Sequence, residues 1–191
     1  RISGIIFARH NNVGIDGIAP DAELIAIRHT DTWTSATLLS FYLAKIAGAD
    51  VINCSWKSNI LLEPVADVIR DLATAGRQGR GLAVVFAAGN NSRRLEPECC
   101  EPVLPQVITV GAMHPSGRRL PFSNYGQYID IFTYGRDVLA PARGPEQYAL
   151  FSGTSASSAI VSGVAALLIA QDRELSLTDL QQRLHDFFTA R

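Results

Sequence analysis

Ser152 to Leu168 read SGTSASSAIVSGVAALL. The stretch is almost wholly small or aliphatic, yet its front carries five hydroxyls, on Ser152, Thr154, Ser155, Ser157 and Ser158. A core helix needs none of them; a helix whose tip presents a reactive oxygen does. Gly153 permits a tight approach before the helix, and Ser155 then falls in its first turn. Backbone N–H groups there lack intrahelical partners, and the helix dipole favours negative charge. A carbonyl attacked by the Ser155 hydroxyl would develop its charge beside those donors. Behind Ser155, the small residues Ala156, Ala159, Ser162, Gly163, Ala165 and Ala166 let the helix pass close to neighbouring strands. Read alone, the stretch fits equally a capped core helix with Ser155 as a cap.

Outward from this segment, strand and helix patterns alternate. AELIAIRH (Ala22 to His29) reads as a strand. A helix follows, with Leu38, Leu39, Tyr42, Leu43 and Ile46 at helical spacing and Gly48 as its stop. DVINCSW is a strand, and Val65, Val68, Ile69 and Leu72 mark a helix opened by Pro64 and ended near Gly76. GLAVVFAAGN, QVITVGA and YIDIFTYG read as three more strands. Ser176 with Asp179 makes a capping box for a final helix whose apolar face is Leu177, Leu180, Leu184, Phe187 and Phe188. Near-continuous apolar strands separated by helices predict an α/β fold: three layers, a mostly parallel sheet with helices on both faces. In such sheets reactive groups collect at the carboxyl ends of strands, here NCSWK and AAGNN. Asn90 ends the second of these, where its carboxamide can donate to an oxyanion or simply make a turn.

Composition agrees with one globular domain: 191 residues, 47% hydrophobic and 18% charged. The net charge of -1 gives no electrostatic case for nucleic acid or an anionic membrane as partner. Arg77 with Arg80, and Arg93 with Arg94, read as solvated loop charges. Cys54, Cys99 and Cys100 show no CxxC spacing, so zinc is not expected, and the adjacent pair could form only a strained vicinal disulfide. No apolar run reaches the roughly 20 residues of a membrane span, and no signal-peptide pattern is present. The only methionine is Met113, and the chain opens on RISGIIFARHNN without a cap, which suggests a piece of a longer polypeptide.

Taken in order, these motifs resemble the subtilisin family of serine proteases. FSGTSASSAIVSGVAALL is similar to its nucleophile motif, Gly-Thr-Ser-x-Ala-x-Pro-x-Val-x-Gly. VVFAAGN resembles its oxyanion-asparagine strand, and ADVINCSW its substrate-binding strand. GIDGIAPDAELIAIR, VITVGAM and FSNYGQYIDI resemble further family segments. The match runs from Arg1 to about Gln171, leaving residues 172–191 as a terminal helix of a partial catalytic domain. The resemblance implies that Ser155 is the nucleophile of a serine endopeptidase and Asn90 the oxyanion donor. It implies that Ser55, Trp56 and Lys57 flank an extended peptide or protein substrate, and that Ala87, Ala88 and Gly89 line the first specificity pocket. It also implies secretion, as a family tendency.

The family uses Asp, His and Ser in that chain order. RISG resembles the tail of His-Gly-Thr-x-x-x-Gly, which would put the histidine three positions before Arg1 and the aspartate further upstream. The amino-terminal part of the domain is therefore expected as a missing partner of this chain, which alone should be inactive. His10, His29, His114 and His185 occupy no motif position and read as surface or turn residues. Lys57 stands where the family usually has glycine, implying impaired backbone recognition or a preference for an acidic side chain, and Ala159 stands where it usually has proline. These departures favour the rival reading, an inactive subtilase-like scaffold that binds a peptide or protein. An α/β-hydrolase esterase would need Gly-x-Ser-x-Gly, and Ser157 replaces the second glycine. No cofactor is required by the resemblance. ARHNNVGID resembles a calcium loop, in which the Asn11 side chain and the carbonyls of Arg9, Val13 and Ile15 would be ligands to a structural ion.

Overall fold

In a computed structural model, which describes residues 1–28, 34–142, 144 and 147–190, four short apolar runs form one sheet. β1 (Val51–Cys54), β2 (Ala83–Ala87), β3 (Ile108–Met113) and β4 (Ile131–Tyr134) lie in that order, and every neighbouring pair is parallel. The residues of β2 are buried and alternate between two cores. Val84 and Phe86 join Phe41 of α2 (Thr34–Ile46) and Val65, Ile69 and Leu72 of α3 (Glu63–Gly79). Ala83 and Val85 join Val161, Ala165 and Ile169 of α4 (Thr154–Gln171) and Leu180 and Leu184 of α5 (Leu177–Thr189). A strand's side chains alternate between faces, so a helix layer on each side buries both sets. The three-layer α/β arrangement expected from the sequence is present. By length and composition α4 could cross a membrane, but Val161, Ala165 and Ile169 pack it onto the sheet.

The small residues of α4 serve a second purpose. Ala156 and Ala159 meet Ile5 and Ile6 of α1 (Ile2–Phe7) in a third core. A Cβ on Gly163 would lie 2.8 Å from Ile18 Cβ, so this stripe admits the amino-terminal segment as well as the strands. Beyond the main sheet, β5 (Val138–Pro141) and β6 (Tyr148–Phe151) form an antiparallel pair that the sequence reading did not foresee. Each is four residues long and partly exposed, too short for a periodicity to register.

Several expectations are corrected. Residues 23–28 form no strand, and Leu24 and Ile25 are exposed. His29 lies outside the described residues. The reason is geometric: a strand exists only by pairing, and a cavity of about 1140 Å³ is lined by Leu24, Ile25 and Ile27 together with Val51 and Asn53 of β1. Among the described residues, β1 therefore pairs only with β2. On α2, Thr37, Phe41 and Ala44 face inward, while Leu39, Tyr42, Leu43 and Ile46 are exposed. On α5, Leu177, Leu180 and Leu184 are buried as expected, but Phe187 is exposed. Ser176 accepts from the Asp179 N–H, the first half of the expected capping box, and its hydroxyl, rather than its backbone N–H, donates to the Asp179 carboxylate. Arg77 is not solvated: its side chain is 4% exposed, pairs with Asp50, and donates to the Gly81 and Leu175 carbonyls. It holds a φ of 49°, where α3 breaks.

Phe86 is fully buried at the junction of sheet and α3, whereas Phe187 is 60% exposed. Phe86→Ala should lower unfolding stability by about 3–5 kcal/mol, and Phe187→Ala by about 0.5 kcal/mol or less. Urea denaturation followed by circular dichroism measures both.

Candidate active site

The hydroxyls of the Ser152–Leu168 stretch are, with one exception, fasteners. Ser157 Oγ donates to the carbonyls of Thr133 and Tyr134 at the end of β4. Ser162 Oγ donates to Asn53 Oδ1 on β1 at 3.0 Å. Ser152 Oγ accepts from the Asp137 N–H at 2.9 Å. Ser158 Oγ lies 3.1 Å from Ser55 Oγ and 3.1 Å from the Ser155 carbonyl. Asn53 Nδ2 completes this net by donating to Ser55 Oγ at 2.9 Å. The bonds of Ser157 to β4, of Ser162 to Asn53 and of Ser158 to Ser55 pin α4 to the carboxyl ends of β4 and β1. The exception is Ser155: the residue is half-buried, and among the described residues its Oγ donates only to the Ser55 carbonyl, at 3.2 Å.

Gly153 makes this placement feasible. It has φ 143° and ψ 161°, and its N–H donates to the Gly135 carbonyl at 2.8 Å. A Cβ there would lie 3.3 Å from Asn90 Nδ2. Only glycine combines that backbone with that proximity.

Asn90 is fixed by the residue next to Ser155. Its Oδ1 accepts from the Thr154 N–H at 2.9 Å and from Thr154 Oγ1 at 3.0 Å. Thr154 Oγ1 in turn accepts from the Gly89 N–H at 3.1 Å. With the oxygen end occupied, the Nδ2 end has no acceptor among the described residues. The Ser155 N–H likewise has none, as befits the first turn of a helix. Two donors and a hydroxyl therefore gather at one helix tip beside one strand end.

The loop bearing Asn90 is held by a residue that sequence reasoning missed. Asn124 is 2% exposed. Its Oδ1 accepts from the N–H groups of Asn91 and Arg93, and its Nδ2 donates to the Ala88 carbonyl. An asparagine in FSNYG carries no local signal of that role. Thr154 was noticed only as one hydroxyl among several.

The expected substrate-flanking residues border the same place. Ser55 contacts Ser155 directly. Trp56 packs edge-on to Phe86 with ring centroids 5.4 Å apart, so it is partly a core residue. Lys57 lies across Gly89: a Cβ on Gly89 would be 2.9 Å from Lys57 Cε. The Lys57 ammonium donates to the Ser58 carbonyl and Asn59 Oδ1. Ala87 and Ala88 are buried, and Gly89 has φ 101°.

No described histidine reaches Ser155. His10 Nε2 bonds the Gly17 carbonyl, His114 Nδ1 bonds Ser116, and His185 sits on α5. At the expected calcium loop, Asn11 Oδ1 already accepts the Val13 N–H at 3.0 Å. Asn11 and the carbonyls of Arg9, Val13 and Ile15 fall short of the roughly six to eight oxygens that calcium takes. These residues do not fit the ion by themselves.

Comparison with known proteins gives the family of the chain. The model of the family described as "Subtilase family" matches residues 1–187. The chain is 37% identical over 179 residues to a thermophilic serine proteinase of Bacillus sp. (strain AK1), covering 90% of the chain and 42% of that protein. It is 30% identical over 192 residues to a thermostable alkaline protease of Halalkalibacterium halodurans, covering 98% of the chain and 51% of that protein. It is 29% identical over 216 residues to an extracellular basic protease of Dichelobacter nodosus, covering 97% and 33%. The chain thus spans about half or less of the length of these relatives.

Asn124→Ala removes three hydrogen bonds to the loop. It should cost about 1–3 kcal/mol of stability and speed amide exchange at Asn91 and Arg93. Native-state hydrogen exchange reads the second effect residue by residue.

Proposed function

Since this chain belongs to the subtilase family, we propose that it contributes the nucleophile and oxyanion donors of a serine endopeptidase. The supporting observation is the pairing of Ser155 with an Asn90 carboxamide whose oxygen end is locked by Thr154. The histidine and aspartate of the triad come from sequence upstream of Arg1, as the RISG resemblance implies. Histidine takes the Ser155 Oγ proton as the oxygen attacks the scissile carbonyl. The tetrahedral oxyanion accepts from Asn90 Nδ2 and the Ser155 N–H. Collapse expels the amine, which receives the proton from histidine, and leaves an acyl-Ser155. Water, deprotonated by the same histidine, hydrolyses the ester. Chemistry of this kind needs no cofactor.

The substrate is a peptide or protein lying extended along Ser55–Lys57, its first side chain entering over Ala87–Gly89. The cavity beside β1 suits a further partner, an apolar strand of the upstream segment pairing with the β1 edge that no described strand covers. Secretion is the compartment this reading favours; the Dichelobacter nodosus relative is named extracellular.

A second reading, a subtilase-like scaffold without activity, draws on Lys57 lying across Gly89. The two separate on a fluorophosphonate probe applied to the polypeptide that includes the upstream histidine and aspartate. Labelling at Ser155, abolished in Ser155→Ala, is the expected result; an unlabelled protein with both upstream residues intact would favour the scaffold. Asn90→Ala should lower kcat by about 10²–10³, the cost known for such a donor in a subtilisin, and, by leaving Thr154 without its acceptor, should also lower stability by about 1–3 kcal/mol. Steady-state kinetics on a fluorogenic peptide measure it.

A further inference from the structure

Behind the Asn90 strand end lie two adjacent thiols that this chemistry leaves unused. Cys99 and Cys100 Sγ are 2.8 Å apart. Cys100 is fully buried and Cys99 partly exposed. Both pack in a small core with Ala88 and Leu95. We propose that Cys99 and Cys100 form a redox modification site: a small-molecule disulfide converts the dithiol to a vicinal disulfide, and the closure is transmitted to the loop 55–58.

The transmission path is bonded throughout. Cys100 directly precedes Glu101, whose side chain is held in the interior at 2% exposure. Glu101 Oε2 accepts from the Ser58 N–H at 3.0 Å and from Ser58 Oγ at 2.9 Å. Ser58 belongs to the same loop as Ser55, whose carbonyl accepts the Ser155 hydroxyl. Closure cannot be silent along this path. A trans peptide holds adjacent Cα atoms about 3.8 Å apart, whereas disulfides usually join Cα atoms about 4.4–6.8 Å apart. The ring must therefore twist the backbone between 99 and 100, immediately before Glu101.

The exchange proceeds in two steps. The Cys99 thiolate attacks one sulfur of the small disulfide, forming a mixed disulfide and releasing one small thiol. Cys100 then loses its proton and attacks Cys99 Sγ, expelling the second small thiol. Two electrons and two protons pass from the cysteines to the small disulfide, so one S–S bond replaces another. Exposure makes Cys99 the entry point. Burial pushes the Cys100 thiol up to about 12, which keeps it from attacking a small disulfide itself; its contact with Cys99 Sγ at 2.8 Å is what makes it the resolving group. Cys54 is buried in the core below α3, apart from this pair, and burial also pushes its thiol up.

This site stands whether or not Ser155 is a nucleophile, so its test reads mass and amide exchange rather than peptide hydrolysis. The reduced chain is incubated with oxidised glutathione and digested with trypsin. The peptide spanning 95–118 should become lighter by two hydrogens and refuse alkylation, while Cys54 stays reduced. Amide exchange at Ser58 should quicken by about tenfold, the effect of losing one hydrogen bond. Cys99→Ser, altered at the exposed member, should abolish both changes. Phenylarsine oxide, which bridges paired thiols, should bind the reduced chain and not Cys99→Ser. A persistent dithiol, an unresolved mixed disulfide or a closed disulfide with unchanged Ser58 exchange would each overturn the proposal.

Discussion

The structure turns on a clamp of two hydrogen bonds, from the Thr154 N–H and Thr154 Oγ1 to Asn90 Oδ1. It joins the carboxyl end of β2 to the amino end of α4. It uses up the acceptor end of the Asn90 carboxamide and so leaves the donor end for a ligand. Thr154 is fully buried, so its N–H and hydroxyl depend on Asn90 Oδ1 and Gly89 for partners. The position of Ser155 follows, because it is the next residue along the same helical turn.

Around that clamp, polar groups do structural work usually left to apolar packing. The front of α4 must come close to the ends of β1, β2 and β4 at once. Long side chains would hold it away, whereas serine and threonine let it approach and satisfy strand-end carbonyls and amides on arrival. Asn124 does the same for the loop after β2, with one side chain meeting three backbone groups. Further along α4 the requirement lapses, and Val161, Ala165 and Ile169 bury against the sheet. The abrupt change from hydroxyl to aliphatic residues marks the change from site to core.

The Ser55–Ser58 loop is held at both ends. At one end it exchanges hydrogen bonds with Ser155, and at the other it hangs on the buried carboxylate of Glu101. Trp56 anchors it between, against Phe86. The segment is braced by groups from α4, β2 and the turn after Cys100. The three supports are far apart in sequence.

Much of this was legible in the amino-acid order. The apolar runs of β1 to β4 announced a parallel sheet, since strands buried on both faces tolerate few polar residues. Ser176 and Asp179 announced a helix start, because a cap is a local interaction. Ser155 and Asn90 stood out through motif order. What the sequence could not settle was pairing. Residues 22–28 have a strand's composition but no ladder, and the outward residues of α2 have a core's composition but no cover. Arg77 looked like a surface charge and is buried, because carbonyls from residues about a hundred positions away converge on it. Thr154, Asn124 and Glu101 gain their importance in the same way. Local periodicity and capping depend on neighbours in the chain, so the sequence alone determined them; the site's scaffold depends on which distant backbone groups meet, and only the tertiary structure decided that.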